Sequence, residues 1–166
     1  TTVTYHLHPP MLRSLPFGPS GALLLIEPQV LQRLATFRQL GMSAPEAGGI
    51  LLGYRRGHHT HVADVTVPTK RDVQRRFGFF RHATDHQRVA TRRWEQSGET
   101  MDYVGEWHTH PEDDPFPSGV DLQHWREIAF AASRPMVFLI VGRLTNWYGA
   151  GLNRRLERLA AAATDA

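Results

Sequence analysis

Asp102-Tyr103-Val104-Gly105-Glu106-Trp107-His108-Thr109-His110-Pro111, running on past Pro115 and Pro117 to Ser118-Gly119-Val120-Asp121, is the stretch around which the chain is organised. Asp102 to His108 alternates as a strand does, so side chains two apart share a face. His108 and His110 therefore leave the strand on one side, where both imidazoles reach a single metal ion. Asp121 follows His110 after ten intervening residues and a proline-stiffened loop, at the start of a helix expected from Gly119 to Ala132. Its carboxylate is the natural third ligand. Three such ligands leave one tetrahedral corner for water, the arrangement of a catalytic zinc site rather than a closed structural one. Glu106 lies on the same strand face, and the residues alone leave open whether it ligates, acts as a base or orients His108. Ser118-x-x-Asp121 ahead of a helix is also a capping signature, a reading that needs no chemistry.

Working outward, Gly21 to Glu27 is an apolar strand-like run, and Pro28 starts a helix whose Val30, Leu31, Leu34 and Phe37 recur at helical spacing to about Leu40. Gly48 to Arg55 and Thr60 to Pro68 form a hairpin across the turn Arg56 to His59. A helix over His82 to Gln96 precedes the metal-binding strand, and Met136 to Gly142 and Asn146 to Leu152 supply two more strands. Strand hairpins with interspersed helices predict an α/β fold, a mixed β-sheet flanked by helices. The 166 residues suit one domain over positions 1–166, with a core at about 21–152 and a peripheral N-terminal segment and C-terminal helix after Asn153.

Apolar residues at 41% and charged residues at 21% exclude disordered and membrane-embedded classes. No window reaches the ~18 apolar residues of a membrane span, and Thr1 to Pro10 lacks the layout of a signal peptide, so a cytoplasmic protein is expected. Without cysteine, His, Asp and Glu must hold any metal. Lys70, Arg71, Arg75, Arg76, Arg81, Arg88, Arg92 and Arg93 crowd a stretch whose acids are Asp72 and Asp85; a solvated helix face is favoured over a docking surface for an acidic partner or nucleic acid. His58, His59 and His61 are expected as turn residues rather than a second metal site. Trp107 and Trp125 either line a cleft or fill the core, and His124 is expected on a helix surface.

The string His108-x-His110-Pro111 with Ser118-x-x-Asp121 resembles the JAMM (JAB1/MPN/Mov34) metallopeptidases over about residues 21 to 152. The resemblance implies the cytidine-deaminase-like sandwich of that family and one Zn2+ per chain on His108, His110 and Asp121. Glu46, in Pro45-Glu46-Ala47-Gly48-Gly49-Ile50, matches the family's general base, and Ser118 its oxyanion-stabilising hydroxyl. The flavour of the motifs is similar to stand-alone bacterial JAB isopeptidases of CBASS anti-phage operons and integrative elements. That similarity implies cleavage of the amide bond after the extended C-terminal tail of a cGAS-like nucleotidyltransferase (CD-NTase) or ubiquitin-like protein conjugated to a target. Processing of a ubiquitin-like or sulphur-carrier precursor, and a RadC-like nucleic-acid role, are the alternatives; a membrane partner is not expected.

Overall fold

The computed structural model describes residues 13–18, 20–153 and 155–160. Among them, eight strands form one mixed sheet. In chain order these are β1 (Arg13–Phe17), β2 (Ala22–Ile26), β3 (Gly48–Arg56), β4 (His59–Val65), β7 (Asp102–Thr109), β8 (Met136–Val141), β9 (Asn146–Leu152) and β10 (Arg155–Arg158). A separate hairpin pairs β5 (Val73–Arg75) with β6 (Gly78–Phe80). Spatial order in the large sheet is β1-β2-β4-β3-β7-β8-β9-β10, with β2–β4 and β7–β8 parallel and the other pairs antiparallel.

Three helices cover the sheet: α1 (Pro28–Ala35), α2 (Ala83–Gln96) and α3 (Gly119–Ala131). Helix α1 sets Val30 and Leu34 into a cluster with Leu51, Trp107, Val137 and Leu139 on one face. Helix α2 rests through Ala90 on Ile50 and Leu52, and α3 through Trp125 on Phe138, Ile140 and Trp147. The expected mixed sheet with flanking helices is thus observed. Strand β8, Met-Val-Phe-Leu-Ile-Val, is buried at all six positions because helices cover both of its faces. Strand β7 lies next to it at the centre, so Trp107 and Thr109 point to the α1 side while Glu106, His108 and His110 point to the α2–α3 side.

Three expectations are corrected. Helix α1 ends at Ala35, not near Leu40; beyond it Phe37 packs on Trp107, with ring centroids 5.5 Å apart, and Gln39 turns its amide into the interior. The chain after Asn153 is strand β10 rather than helix. Asn153, at φ 51°, turns the chain back so that Arg155–Arg158 pairs with β9, and Leu156 packs toward Met136 and Trp147. The rest of that expected helix, residues 161–166, lies outside the described residues, as do residues 1–12 of the N-terminal segment. Arg13–Phe17 is the edge strand of the sheet, and Leu15 is fully buried. The basic stretch is not one helix face, since it spans the β5–β6 hairpin as well as α2.

Candidate metal centre

His108 lies one residue before the end of β7, beside Gly48 of β3, and His110 follows the strand, its N–H bonded to the Val141 carbonyl at 3.0 Å. Their Nε2 atoms stand 3.0 Å apart. Asp121 presents Oδ1 to His108 Nε2 at 3.3 Å and Oδ2 to His110 Nε2 at 3.2 Å. Ligands about 2.0–2.1 Å from a tetrahedral zinc are separated by about 3.3 Å, and the two imidazoles stand near that spacing from each other and each from its own Asp121 oxygen. Glu46 completes the group, with donor atoms of Glu46, His108 and His110 all within 4.8 Å of one another. Asp121 and Glu46 thus both face the pair of imidazoles.

Each corner is held from outside. Asp121 is N3 of α3 in a reciprocal capping box: its N–H donates to Ser118 Oγ at 3.1 Å, and Ser118 N–H donates to Asp121 Oδ2 at 2.8 Å. The capping reading of Ser118 and Asp121 is therefore correct, and it coexists with Asp121 facing both imidazoles. Ser118 itself is exposed, with its hydroxyl proton uncommitted to the cap. Under α3, Trp125 stacks on Phe138 and Trp147 at 4.8 and 5.4 Å and meets the His108 ring at 5.6 Å. Trp107 and Trp125 are each about 1% exposed and belong to the core, while both also border the site.

Glu46 lies in the chain entering β3. Its N–H donates to the Arg75 carbonyl at 2.5 Å and its carbonyl accepts from Gln74 Nε2 at 3.2 Å, so the β5–β6 hairpin grips its backbone. Next to it, Ala47 N–H donates to Thr109 Oγ1 at 2.9 Å and Ala47 O accepts from Thr109 N–H at 2.8 Å. The Thr109 hydroxyl donates in turn to Gln39 Oε1 at 2.9 Å, and Gln39 Nε2 donates to the carbonyls of Ala44 and Arg76. Gln39 and Thr109 are buried and escaped the sequence reading. The only trace they left was a polar residue between two histidines and a glutamine at the end of an expected apolar helix.

Charge follows burial and contact. Burial holds the Glu46 carboxyl above the usual carboxylate range, against the pull of His108 and His110. Burial also opposes ionisation of Asp121, but hydrogen bonds from His108, His110 and the Ser118 backbone prevail and push it far below its ordinary value. Burial opposes the charge on His110 too, and Asp121 outweighs it, so His110 is raised. The pair therefore sets a carboxyl held protonatable beside a carboxylate held ionised.

Glu106 is committed elsewhere. Arg81 Nη2 lies 2.8 Å from its Oε1, the Tyr103 hydroxyl donates to the same oxygen at 3.2 Å, and His124 Nε2 is 3.2 Å from Oε2. Burial would raise Glu106, and its His124 and Arg81 partners overcome that and lower it. His124 is more than the surface residue expected, being paired while half exposed. Arg81, Glu106 and His124 line, together with Glu46, His108 and Asp121, a cavity of about 350 Å³. A larger one, of about 870 Å³, opens at the far end of the strands among Arg55, Arg134 and Leu152, away from these donors. His59 and His61 are strand residues, not turn residues: His59 Nδ1 accepts from Leu23 N–H at 3.0 Å, and His61 Nε2 meets Glu27 Oε1 at 2.6 Å. Among the described residues, the groups of three His, Asp or Glu donors close enough to share an ion all centre on His108 and His110, and His58, His59 and His61 join none of them. In the basic stretch, Arg71 pairs with Asp85 and Arg93 with Asp64.

A family profile described as "Prokaryotic homologs of the JAB domain" matches residues 27–155. The chain belongs to the prokaryotic JAB family. The JAB-domain chain is 38% identical over 136 residues to a protein of Escherichia coli strain TW11681 named "CD-NTase/cGAS isopeptidase", covering 82% of this chain and 86% of the relative. A Vibrio cholerae protein of the same name is 42% identical over 130 residues, covering 78% and 83% of the two chains. A third relative of that name, from Pseudomonas aeruginosa, is 43% identical over 115 residues, covering 66% and 73%. The JAB domain also shares its fold with a solution structure from Desulfitobacterium hafniense, at TM-score 0.58 and 17% identity over 80% of this chain and 87% of that one. No helix among the described residues is long and apolar enough to cross a membrane.

Proposed function

We propose that this chain is a zinc-dependent JAMM-type isopeptidase that cleaves the amide bond after the C-terminal tail of a CD-NTase conjugated to a target amine, acting in CBASS anti-phage defence. The triangle of His108, His110 and Asp121, with Glu46 beside it, carries the reading. The names of the relatives supply the substrate class. His108, His110 and Asp121 hold the ion, whose chemistry when bound is Lewis acidity that acidifies water and polarises a carbonyl. Glu46 accepts the proton of the attacking water as oxygen bonds to the acyl carbon. It then delivers that proton to the departing nitrogen as the C–N bond breaks. The Ser118 hydroxyl donates to the carbonyl oxygen as negative charge gathers there, a contribution of roughly 3–4 kcal/mol where such donors have been removed. The product is a tail with a free carboxylate and an amine on the target.

The test is to incubate the zinc-loaded chain with a CD-NTase fused through its C-terminus to a reporter protein, with and without chelator, and map the cut by mass spectrometry. Cleavage directly after the tail's last residue, abolished by chelator, is expected. An intact fusion, alongside cleavage of a ubiquitin-like precursor, would transfer the reading to that substrate. Loss of both would end it.

A further inference from the structure

The cavity behind His108 contains side chains that the proposed hydrolysis does not use. Its floor is the β3–β7 pair at Gly49 and Glu106, one wall is Phe80 and Arg81, and the other is Val120 and His124. Glu106, 10% exposed, has given three of its roughly four lone-pair sites to Arg81, Tyr103 and His124. Arg81 is 27% exposed, carries five N–H donors and no acceptor, and turns Nη2 to Glu106. What this group offers the cavity is therefore donors on a cation whose orientation a buried carboxylate fixes.

Glu106 and His108 are two residues apart on one strand, about 6.8 Å. An extended peptide repeats with the same period. Both edges of β7 are taken by β3 and β8, so a tail whose scissile carbonyl meets His108 lies over the face of β7 that carries Glu106, and the side chain two residues earlier comes within reach of Arg81.

We propose that Arg81, oriented by Glu106, is a specificity-determining residue: it receives a carboxylate or carboxamide side chain on the third residue from the end of the tail and excludes lysine or arginine there. The inference rests on the isopeptidase reading above. An acceptor satisfies guanidinium N–H groups that would otherwise lose water unpaired, whereas an ammonium meets a like charge and a carboxylate already committed.

The probes are tripeptide hydroxamates X-Ala-Gly-NHOH with X as Glu, Gln, Leu or Lys, titrated calorimetrically into the full chain after its zinc stoichiometry has been measured. The hydroxamate anchors the end of the peptide at the metal, so affinity reports the third position without turnover. Glu and Gln are expected to bind about tenfold more tightly than Lys, a difference of the size one charged hydrogen bond produces. Arg81→Met should flatten that ranking with zinc stoichiometry retained. Arg81→Gln, which keeps a donor for Glu106, should also lose the distinction between Glu and Lys. A flat ranking in the wild-type chain, or an unchanged ranking in Arg81→Met, overturns the subsite. Failure of the chain to bind zinc overturns the metal-centre reading instead, and hydroxamates that do not bind a zinc-loaded chain overturn the tail path along β7.

Discussion

Ala47 and Thr109 exchange two hydrogen bonds, Ala47 N–H to Thr109 Oγ1 at 2.9 Å and Thr109 N–H to Ala47 O at 2.8 Å. One joins the backbone of the residue after Glu46 to the side chain between the two histidines. The distance between proposed base and proposed ligands is thereby set on the far side of the sheet, under α1. Thr109→Val should strand the Ala47 N–H and the Gln39 carbonyl, each at about 1–3 kcal/mol. Denaturant unfolding should report the loss, kcat should fall more than zinc content, and Thr109→Ser should restore both.

Glu46→Gln should keep stoichiometric zinc and lower turnover by about 10²–10⁴-fold, the range removed with a positioned general base. Glu106→Gln should retain substantial activity, since Glu106 is engaged by Arg81, Tyr103 and His124 rather than facing the ion. Metal analysis with steady-state kinetics decides; the reverse pattern would exchange the two assignments.

The raised pKa of Glu46 carries a stability consequence for the metal-free chain. A carboxyl whose folded pKa lies above its unfolded value, 4.5, contributes most below the unfolded value, and that contribution is lost as pH rises through the folded pKa. Metal-free Glu46→Gln should therefore match wild type below pH 4.5 and become the more stable protein as pH rises. Thermal unfolding in chelator across that range measures the gap. A gap that widened toward acid would refute the account.

Asp121→Ala should remove one corner of the triangle and one half of the α3 cap together. Zinc affinity should drop by orders of magnitude, and the lost cap alone should cost about 0.5–2 kcal/mol. Asp121→Asn, which keeps an acceptor for the Ser118 N–H, should recover most of the stability without recovering the metal. Paired calorimetry and unfolding distinguish the two losses.

Gly48→Ala should disturb the hairpin, because a Cβ there would lie 2.6 Å from Phe79 Cδ1 and 2.9 Å from the Trp107 carbonyl. The hairpin grips Glu46 through Arg75 and Gln74. Turnover should fall with zinc content unchanged, and amide exchange at the Glu46 N–H should accelerate.

The strand Asp102–Thr109 and the helix from Gly119 were legible because both carry strong local signals, alternation in one and a Ser-x-x-Asp start in the other. The histidines and Asp121 were legible because their spacing is local to that pair of elements. What stayed hidden depends on pairing between distant segments. The β5–β6 hairpin is built of two three-residue strands, Val-Gln-Arg and Gly-Phe-Phe, too short to show a period. Gln39 and Thr109 meet across seventy positions of sequence, and Glu27 reaches His61 only because β2 runs parallel to β4. Strand β10 took shape because β9 offered an unpaired edge.

The reciprocal cap at Ser118 has an implication for how the site comes into being. A helix terminus is ordinarily where a helix opens and closes most freely. Here the bond that starts α3 also aims the carboxylate at His110, so unzipping the first turn and releasing that corner are one event. Ion capture would then rivet the helix at its loosest point, and the helix, once wound, would present its donor without any further search.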